Sequence, residues 1–208
     1  HFVVPAGEVA PAGGTHYRVF TPYYRAWLPA WRGEPLGKPR TIRLPEGTTI
    51  KPPPRVGHAS LAPGGERAGA RLARRWLADG LAGYGTGHDD LGADGTSRLS
   101  PYIHFGCVSP RALAVRAREK RGVAFVRQLC WRDFYAQLLW GQPQTTTEDL
   151  RPRRDRWVDD EETLEAWKGG RTGYPLVDAG MRQLREEGWM HNRARLVVAS
   201  FLVKDLGI

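Results

Sequence analysis

The residues with the clearest chemical potential lie near the end of the printed sequence, where a polar stretch gives way to an apolar one. Asn192, Arg193 and Arg195 stand immediately before the apolar residues 196–203. This pattern predicts a helix that begins near Asn192, with Asn192 and Arg195 on one face and Arg193 on another. The start of a helix that carries an amide and two guanidinium groups can bind an anion and hydrogen-bond a planar ring. A solvated helix N-terminus is the alternative interpretation.

A second candidate is the loop at residues 95–101, which places three hydroxyl side chains around Arg98. These are Thr96, Ser97 and Ser100. Hydroxyls, backbone N–H groups and a guanidinium suit a pyrophosphate, because each donates a hydrogen bond without having to lose a proton. An ordinary Ser/Thr turn that caps a helix fits the same residues.

A third candidate lies on the predicted helix that contains residues 125–135, where polar and aromatic side chains share one face at helical spacing. The members of this face are Gln128, Trp131, Arg132 and Tyr135. An indole can stack on a base, and a guanidinium can pair with a phosphate or a carboxylate. The face therefore predicts a ligand surface, and a buried Arg–Asp network is the alternative.

Other familiar catalytic patterns are missing from the sequence. Residues 169–184 combine a Gly-Gly turn, a Tyr-Pro step and an amphipathic helix, which is typical of a packing element. There is no Ser-His-Asp order, paired-carboxylate signature, HExxH or Walker loop. Hydrolysis by a standard protein nucleophile or metal finds no support, and no metal site is predicted.

Composition narrows the class of partner. A chain of 208 residues with 41% hydrophobic residues can form a real core. The net charge of +9 favours a polyanionic partner, although charge alone does not separate DNA from RNA or from an acidic membrane surface. Eight Trp residues add surfaces on which bases or a flavin can stack, and most of them are expected in the core.

The cellular setting is predicted from what the sequence lacks. Cys107 and Cys130 have neither CxxC nor metal-ligand spacing, so a disulfide scaffold is not expected. No apolar run approaches a membrane span, and the first residues do not have the layout of a signal peptide. We expect a soluble, cytoplasmic protein with no membrane partner, and we expect the sequence to be a fragment because it starts at His1 and stops soon after an apolar helix.

The organisation of the chain predicts an irregular segment followed by helices. Residues 1–60 are rich in Pro and Gly and predict an interdomain connector over a domain surface. Residues 61–208 predict one helical domain, which starts with a basic amphipathic helix over residues 65–82. Further helices are expected over residues 110–121, 123–140, 161–168 and 174–187, and after Asn192. No strand is predicted, so the fold class is all-α after an irregular linker.

Four segments in the same order closely resemble the photolyase/cryptochrome family. They are residues 96–101, 131–135, 173–184 and 189–206. Within that family they are most similar to the class I cyclobutane pyrimidine dimer photolyases, and residues 17–31 are similar to the connector that leads from the family's N-terminal domain. The resemblance implies an all-α, FAD-binding domain that is truncated at its C-terminus, with the N-terminal α/β antenna domain absent from this fragment.

The resemblance also implies roles for individual residues. The implied cofactor-binding residues are Tyr84, Thr96, Ser97, Arg98, Leu99, Ser100, Phe125, Arg132, Asn192 and Arg195. The implied DNA-binding residues are His88, Gln128, Trp131, Tyr135, Asn192, Arg193 and Ala194. Trp131, Gln128 and Asn192 are the implied catalytic residues at the lesion, and Trp157 matches the surface Trp of the family's electron-transfer chain.

The implied activity is light-driven repair of cyclobutane pyrimidine dimers in UV-damaged DNA, with excited reduced FAD as the electron donor. An antenna chromophore of the folate or deazaflavin type is implied for the missing N-terminal domain, and a monomer without an obligate protein partner is expected. Two residues depart from the family pattern. Gln128 stands where the best-studied photolyases carry Glu, and Leu196 replaces a Met that is often found beside the lesion.

Two other functions fit the same sequence. A cryptochrome-type blue-light sensor would bind FAD without repairing DNA, and retention of Trp131 and Asn192 favours repair over this alternative. A basic helical module that binds nucleic acid without a cofactor would use residues 96–100 as a helix cap. A flavin absorption spectrum of the purified intact protein would exclude the second alternative.

Overall fold

The computed structural model describes residues 2–31, 35, 37, 39–51, 60–152 and 156–208. All regular secondary structure within these ranges is helical. The α-helices are α1 (Phe20–Ala30), α2 (Glu66–Arg75), α3 (Tyr84–Gly87), α4 (Ser100–His104), α5 (Pro110–Glu119), α6 (Val123–Gly141), α7 (Glu161–Lys168), α8 (Pro175–Glu187) and α9 (Asn192–Ser200). Shorter helical turns span Trp76–Gly80, Pro143–Thr146 and Phe201–Leu206. These ranges contain no strand, and the predicted all-α class is confirmed.

Local sequence signals explain where several predicted helices begin and end. The Ser109 side chain accepts a hydrogen bond from the backbone N–H of Ala112 at 3.3 Å and caps α5. Asp160 caps α7 in the same way, through the N–H of Thr163 at 3.0 Å. Gly188 ends α8 in the left-handed conformation, with φ of 63°, which costs glycine little.

The prediction for residues 1–60 is wrong where α1 lies. The buried side chains of α1 are Phe20, Tyr23 and Trp27, which recur at helical spacing along one face. Pro22 lies in the first turn, where a missing N–H does little harm, whereas Pro29 lies in the last turn, where it removes one backbone hydrogen bond of the helix. The proline content therefore hid a genuine amphipathic helix. The described residues 39–51 have no regular structure, as predicted, whereas residues 52–59 lie outside the described ranges.

A buried carboxylate on α6 fixes the N-terminal segment in place. Asp133 is 1% exposed, and its Oδ2 accepts hydrogen bonds from the N–H groups of Val3 at 3.0 Å and Val4 at 2.9 Å. The indole Nε1 of Trp27 donates to the same oxygen at 3.0 Å. Burial raises the pKa of Asp133, and these donors together with the Arg132 charge oppose that rise. One side chain thus connects α6 to both the first residues and α1.

One helical turn further along α6, Gln137 makes a second buried connection. Its Oε1 accepts from the N–H of Tyr17 at 2.9 Å, and its Nε2 donates to the carbonyl oxygen of Tyr17 at 2.7 Å. The amide therefore satisfies both backbone groups of a residue that belongs to no helix. Asp133 and Gln137 together bind the segment from Val3 to Trp27 against α6.

The helices pack around two hydrophobic cores. The larger core is formed by α1 to α6 and the N-terminal residues, with fully buried members such as Trp27, Leu99 and Cys130. The smaller core is formed by residues of α8, α9 and the turns beside them, which are Val177, Met181, Met190, Ala194, Val198 and Phe201. A Cβ on Gly180 would lie 2.9 Å from Val198, so this glycine allows α8 and α9 to approach closely. The predicted packing role of residues 169–184 is confirmed. None of the described helices is both long and apolar enough to cross a membrane.

We expect Asp133→Ala to lower the free energy of unfolding by about 3 kcal/mol or more. The substitution leaves three buried donors without an acceptor, and each such group costs about 1–3 kcal/mol. Urea-induced unfolding measures the change. Glu119→Ala, at the exposed end of α5, is the matched control and should change stability little. A loss below about 1 kcal/mol for Asp133→Ala would show that the three donors find other partners.

Candidate functional site

A cavity of about 520 Å³ lies where residues of α6 face the turn between α8 and α9. The α6 helix contributes Phe125, Gln128, Leu129 and Arg132. Other walls come from α3, from residues 96–104 and from residues 188–195. The volume is within the usual range for small-molecule and cofactor sites. The cavity therefore has walls from helices of both hydrophobic cores.

All ten residues that the resemblance implies for cofactor binding line this one cavity. They are Tyr84, Thr96, Ser97, Arg98, Leu99, Ser100, Phe125, Arg132, Asn192 and Arg195. The structure thus brings together residues that are separated by more than a hundred positions in the sequence. Their role in binding a cofactor remains a prediction. Sequence reasoning assigned no ligand-binding role to several further lining residues, which are Pro101, Ile103, His104, Leu129, Gly188, Trp189 and Met190.

The loop before α4 presents a polar atom that lacks a partner. The Thr96 hydroxyl is buried and has no hydrogen-bond partner among the described residues. Such groups are rare in folded proteins, because an unpaired buried hydroxyl costs free energy. The neighbouring Ser97 hydroxyl accepts a hydrogen bond from the N–H of Leu99 at 3.3 Å, which organises the turn. Thr96 on the wall of a cavity is therefore suited to a ligand that supplies the missing partner, such as a phosphate or ribityl oxygen.

Arg98 is held by protein groups on several sides. Its Nε lies 2.9 Å from Asp94 and its Nη1 lies 2.7 Å from Glu187 at the end of α8. The guanidinium also stacks over Trp189, 4.4 Å from the ring centroid. Arg98 has a positive φ of 50°, an uncommon conformation for a residue other than glycine. It joins the 95–101 loop to the turn between α8 and α9, and its charge is already engaged by two carboxylates.

The aromatic wall beside α3 is tightly packed. The Tyr84 ring makes edge contacts with Trp76 and Phe125, at centroid distances of 5.6 and 5.5 Å. Burial raises the pKa of Tyr84 to about 12, and the charge of Asp89 contributes to the rise. The phenol therefore remains protonated at neutral pH, and it offers a hydrogen-bond donor at the edge of the cavity.

The predicted polar face of α6 divides into two parts. Gln128 and Arg132 line the cavity, whereas Trp131 and Tyr135 do not. The Trp131 ring stacks on Phe20 of α1 at a centroid distance of 3.6 Å and an interplanar angle of 3°. Tyr135 is 61% exposed and stacks beside Trp131 at 5.7 Å. Sequence reasoning missed Phe20, although its spacing with Tyr23 and Trp27 was a readable signal.

The alternative interpretation of this face, a buried Arg–Asp network, is partly correct. Arg132 Nη1 lies 3.6 Å from the buried carboxylate of Asp133, and its guanidinium lies 4.9 Å from the ring centroid of Phe2. The same side chain lines the cavity and is one-third exposed. Arg132 therefore belongs both to the structural network around Asp133 and to the ligand surface.

The start of α9 shows the predicted division of its polar groups. Asn192 and Arg195 face the cavity, while Arg193 turns to Asp89. Arg193 binds that carboxylate with two hydrogen bonds, of which the Nε bond is 2.7 Å long. His191 caps the helix, because its Nδ1 accepts from the N–H of Arg193 at 3.1 Å. The His191 Nε2 is buried without a partner among the described residues.

Besides Trp131, Tyr135 and Arg193, three further residues with predicted roles lie outside the cavity lining. His88 is placed with Nδ1 2.8 Å from the carbonyl oxygen of Tyr84 and Nε2 3.4 Å from Asp89. Trp157 is 57% exposed, consistent with a surface position, and its neighbours Arg153 and Arg154 lie outside the described residues. The prediction that Ala194 contacts DNA is wrong for its side chain, which is 4% exposed and packs in the smaller core beneath α8.

The sequence of this chain is similar to the sequences of known proteins. Residues 125–208 match the family described as the FAD binding domain of DNA photolyase. A protein of Streptomyces griseus named deoxyribodipyrimidine photo-lyase is 53% identical over 209 residues, which cover 96% of this chain and 46% of that protein. This chain spans about half the length of the curated relatives that it matches.

Solved structures with related sequences share the fold. A bacterial class III photolyase from Agrobacterium tumefaciens has a TM-score of 0.77 and 29% identity, and covers 99% of this chain and 47% of its own. A cryptochrome from Synechocystis sp. PCC6803 has a TM-score of 0.68 and 34% identity, over 81% of this chain and 38% of its own. The helical fold of this chain is therefore similar to that of a photolyase and of a cryptochrome.

The contact between Arg193 and Asp89 predicts a specific pH dependence. The hydrogen bond from Arg193 lowers the pKa of Asp89 below its ordinary value of 3.8, and burial opposes the effect slightly. The ion pair is therefore complete above pH 3.8 and is lost as the pH falls through the lowered pKa. We expect Arg193→Gln to raise the pKa of Asp89 toward 3.8 in an NMR titration of side-chain carboxyls.

Asp160 provides the internal control in that titration. Its pKa is also lowered, but the hydrogen bonds responsible come from Thr163 in α7. Arg193→Gln should therefore leave the Asp160 midpoint unchanged. An unchanged Asp89 midpoint in the variant would show that the bidentate contact does not persist in solution.

Proposed function

Because this chain belongs to the photolyase/cryptochrome family, we propose that it forms the FAD-binding and DNA-binding part of a deoxyribodipyrimidine photolyase. The proposed reaction is the light-driven splitting of cyclobutane pyrimidine dimers in UV-damaged DNA. The observation that carries the proposal is the convergence of the ten predicted cofactor residues on one cavity. Reduced FAD, when bound, supplies the electron that the reaction needs, so the task of the protein is to bind, orient and exclude water.

The FAD phosphates are assigned to the loop before α4. The unpartnered Thr96 hydroxyl supplies a neutral donor at this wall, and Ser97 and Ser100 add further hydroxyl groups to the cavity lining. Arg132 and Arg195 add positive charge elsewhere in the same cavity. Arg98 is already bonded to Asp94 and Glu187, so its proposed role is to hold the loop in shape.

The apolar wall and the amide groups suit the flavin ring system. Phe125 and Leu129 are 4% and 5% exposed, and they give the cavity a dry, rigid wall on α6. Asn192 offers both a donor and an acceptor to a planar heterocycle from the opposite wall. These groups would fix the orientation of the ring and exclude water from one side of it.

The lesion is assigned to the outer part of the same α6 face. Gln128 is exposed and lines the cavity, so its amide can hydrogen-bond the edge of a flipped-out base. An amide cannot release a proton, so Gln128 would hold the base without acting as an acid. Trp131 is proposed to stack against the dimer, with its ring held rigidly by the contact to Phe20.

Contacts to the DNA backbone are assigned to Arg193. Its guanidinium is about half exposed and forms a planar fork that matches either a carboxylate or a phosphate. Asp89 occupies that fork in the absence of DNA, and a phosphate would have to take its place. Trp157 is proposed as the surface end of the path that supplies electrons to the flavin, on the basis of its exposure.

A cryptochrome-type sensor is the second candidate, since the Synechocystis neighbour carries that name. Such a protein would use the same cavity for FAD without splitting dimers. Dimer splitting under blue light by the purified, reduced protein separates the two functions. A flavin-loaded protein that leaves dimers intact would contradict the repair proposal and support the sensor.

We expect Thr96→Val to weaken FAD binding by about two- to tenfold. The substitution keeps the shape of the side chain and removes one hydrogen bond, which is worth about 0.5–1.5 kcal/mol. FAD affinity is measured by flavin fluorescence during titration of the flavin-free protein. The stability of that flavin-free protein should not fall, because a methyl group replaces a buried hydroxyl that had no partner.

Thr86→Val is the matched control for this experiment. Thr86 is exposed, and its hydroxyl donates to the carbonyl oxygen of Gly83 at 3.2 Å, outside the cavity lining. FAD affinity should be unchanged in this variant. Equal affinities in Thr96→Val and the parent protein would contradict the assignment of the phosphates to this loop.

Trp131 and Arg193 should fail in different ways when each is replaced by Ala. Trp131→Ala removes a stacking surface and should reduce the preference for dimer-containing DNA by about 1–3 kcal/mol. Arg193→Ala removes a phosphate contact and should weaken the binding of damaged and undamaged duplexes alike. The slope of log K against log salt should become smaller by about one. Salt titrations on matched duplexes measure both effects. Lesion preference that survives Trp131→Ala, with FAD still bound, would contradict the lesion assignment.

A further inference from the structure

The outer face of α2 carries a stripe of arginines that the cavity does not use. We define the α2 arginine stripe as Arg67, Arg71, Arg74 and Arg75, all of which are exposed. At 3.6 residues per turn, these side chains fall within a sector of about 100° on the helix surface. The stripe therefore presents four positive charges in one direction.

The opposite face of α2 is fixed against the protein, so the stripe cannot turn inward. Gly69 and Ala73 are buried there. A Cβ on Gly69 would lie 2.7 Å from Val108 and 2.9 Å from Tyr102, which shows how closely the helix backbone approaches its neighbours. The orientation of the stripe toward solvent is thus set by packing.

The arginines of the stripe form no ion pairs with carboxylates in the described part of the chain. Lys168 and Arg193 do form ion pairs, with Glu165 and Asp89, but most other exposed basic residues of the described chain form none. The stripe is therefore distinguished by the clustering of four positive charges on one face of one helix. Four adjacent guanidinium groups without carboxylates repel one another, and a polyanion would relieve that repulsion.

We propose that the α2 arginine stripe binds the phosphate backbone of duplex DNA outside the lesion cavity, an inference that rests on the proposed function. The stripe is about 12 Å long at 1.5 Å per residue, and a duplex presents about seven phosphate charges over that length. No other side chain of α2 falls within the sector of the four arginines, and charge pairing between guanidinium groups and phosphates does not depend on the base sequence. A membrane is a poor fit, because the apolar face that would enter lipid is buried against Tyr102 and Val108.

The α2 helix packs against a helix that lines the cavity, and the stripe lies on the side of α2 that faces away from that helix. Tyr102, which packs beneath Gly69, belongs to α4, and its neighbours Pro101 and Ile103 line the cavity. Packed helices have axes about 8–10 Å apart, so α2 lies about one helix away from the cavity wall. Specific protein–DNA interfaces bury about 1,000–2,500 Å² of protein surface, which extends well beyond a cavity mouth.

The test replaces all four arginines by Gln in the full-length, flavin-loaded protein, with an undamaged duplex as the probe. Each lost phosphate contact lowers the slope of log K against log salt by about 0.9. We expect the slope to fall by about two to four, and the affinity at low salt to fall at least about tenfold. The flavin absorption spectrum and the ratio of affinities for damaged and undamaged duplexes should be unchanged.

Two further variants keep the result interpretable. Replacing Arg156, Arg171, Arg185 and Lys204 by Gln removes the same charge from exposed residues elsewhere, and should change the slope by less than about one. Replacing the four stripe arginines by Lys keeps the charge and should restore most of the binding. Restoration by Lys supports phosphate binding over a structural role for the guanidinium groups.

Two outcomes would overturn the proposal. One is an unchanged slope of log K against log salt in the Gln variant of the stripe. That result would mean that the stripe contacts solvent or an acidic protein instead of DNA. The other is an equal fall of the slope in the control variant with four distant substitutions, which would mean that DNA affinity depends only on the net charge of the protein. Failure of the proposed function would give a different result, because the parent protein would show no preference for dimer-containing DNA. The salt slopes of the parent protein and the stripe variants would still test whether the stripe binds DNA.

Discussion

The packing of the first residues and of α1 against α6 depends on one buried carboxylate. Asp133 is almost fully enclosed, and a buried carboxylate is costly unless donors surround it. Three N–H groups from the first residues and from α1 meet that requirement on one oxygen. Their convergence holds α1 against α6, and α1 in turn supplies Phe20 as the support for Trp131. A residue outside the cavity lining thereby helps to fix which side of α6 packs against α1.

The cavity depends on contacts between two groups of helices that have separate cores. Extensive helix packing occurs within each group, and the bridges that cross the site include the pairs of Arg98 with Glu187 and of Arg193 with Asp89. These ion pairs are partly or fully exposed, and exposed ion pairs contribute little stability. A ligand that contacts both walls would add bridging contacts of its own. Cofactor binding and the relative position of the helix groups are therefore expected to be coupled.

Arginine has three distinct physical roles in this structure. Arg98 is held by carboxylates and an indole and acts as part of the framework. Arg193 lies at the surface, paired with a carboxylate that we propose a phosphate replaces. The arginines of the α2 stripe form no ion pair with a carboxylate in the described part of the chain, and the packing of Gly69 orients them toward solvent. The net charge of +9 is thus distributed among groups with different availability to an anion.

The sequence by itself determined the helix boundaries with strong caps, the division of polar groups at the start of α9, and the family resemblance, because these depend on local spacing and residue type. It did not reveal α1, since composition obscured three buried aromatic side chains at helical spacing. Only the tertiary structure decided that Trp131 stacks on Phe20, that Ala194 is buried, and that Arg98 is engaged by Glu187. Those outcomes depend on contacts between residues far apart in the chain, and local sequence patterns do not specify which distant residues meet.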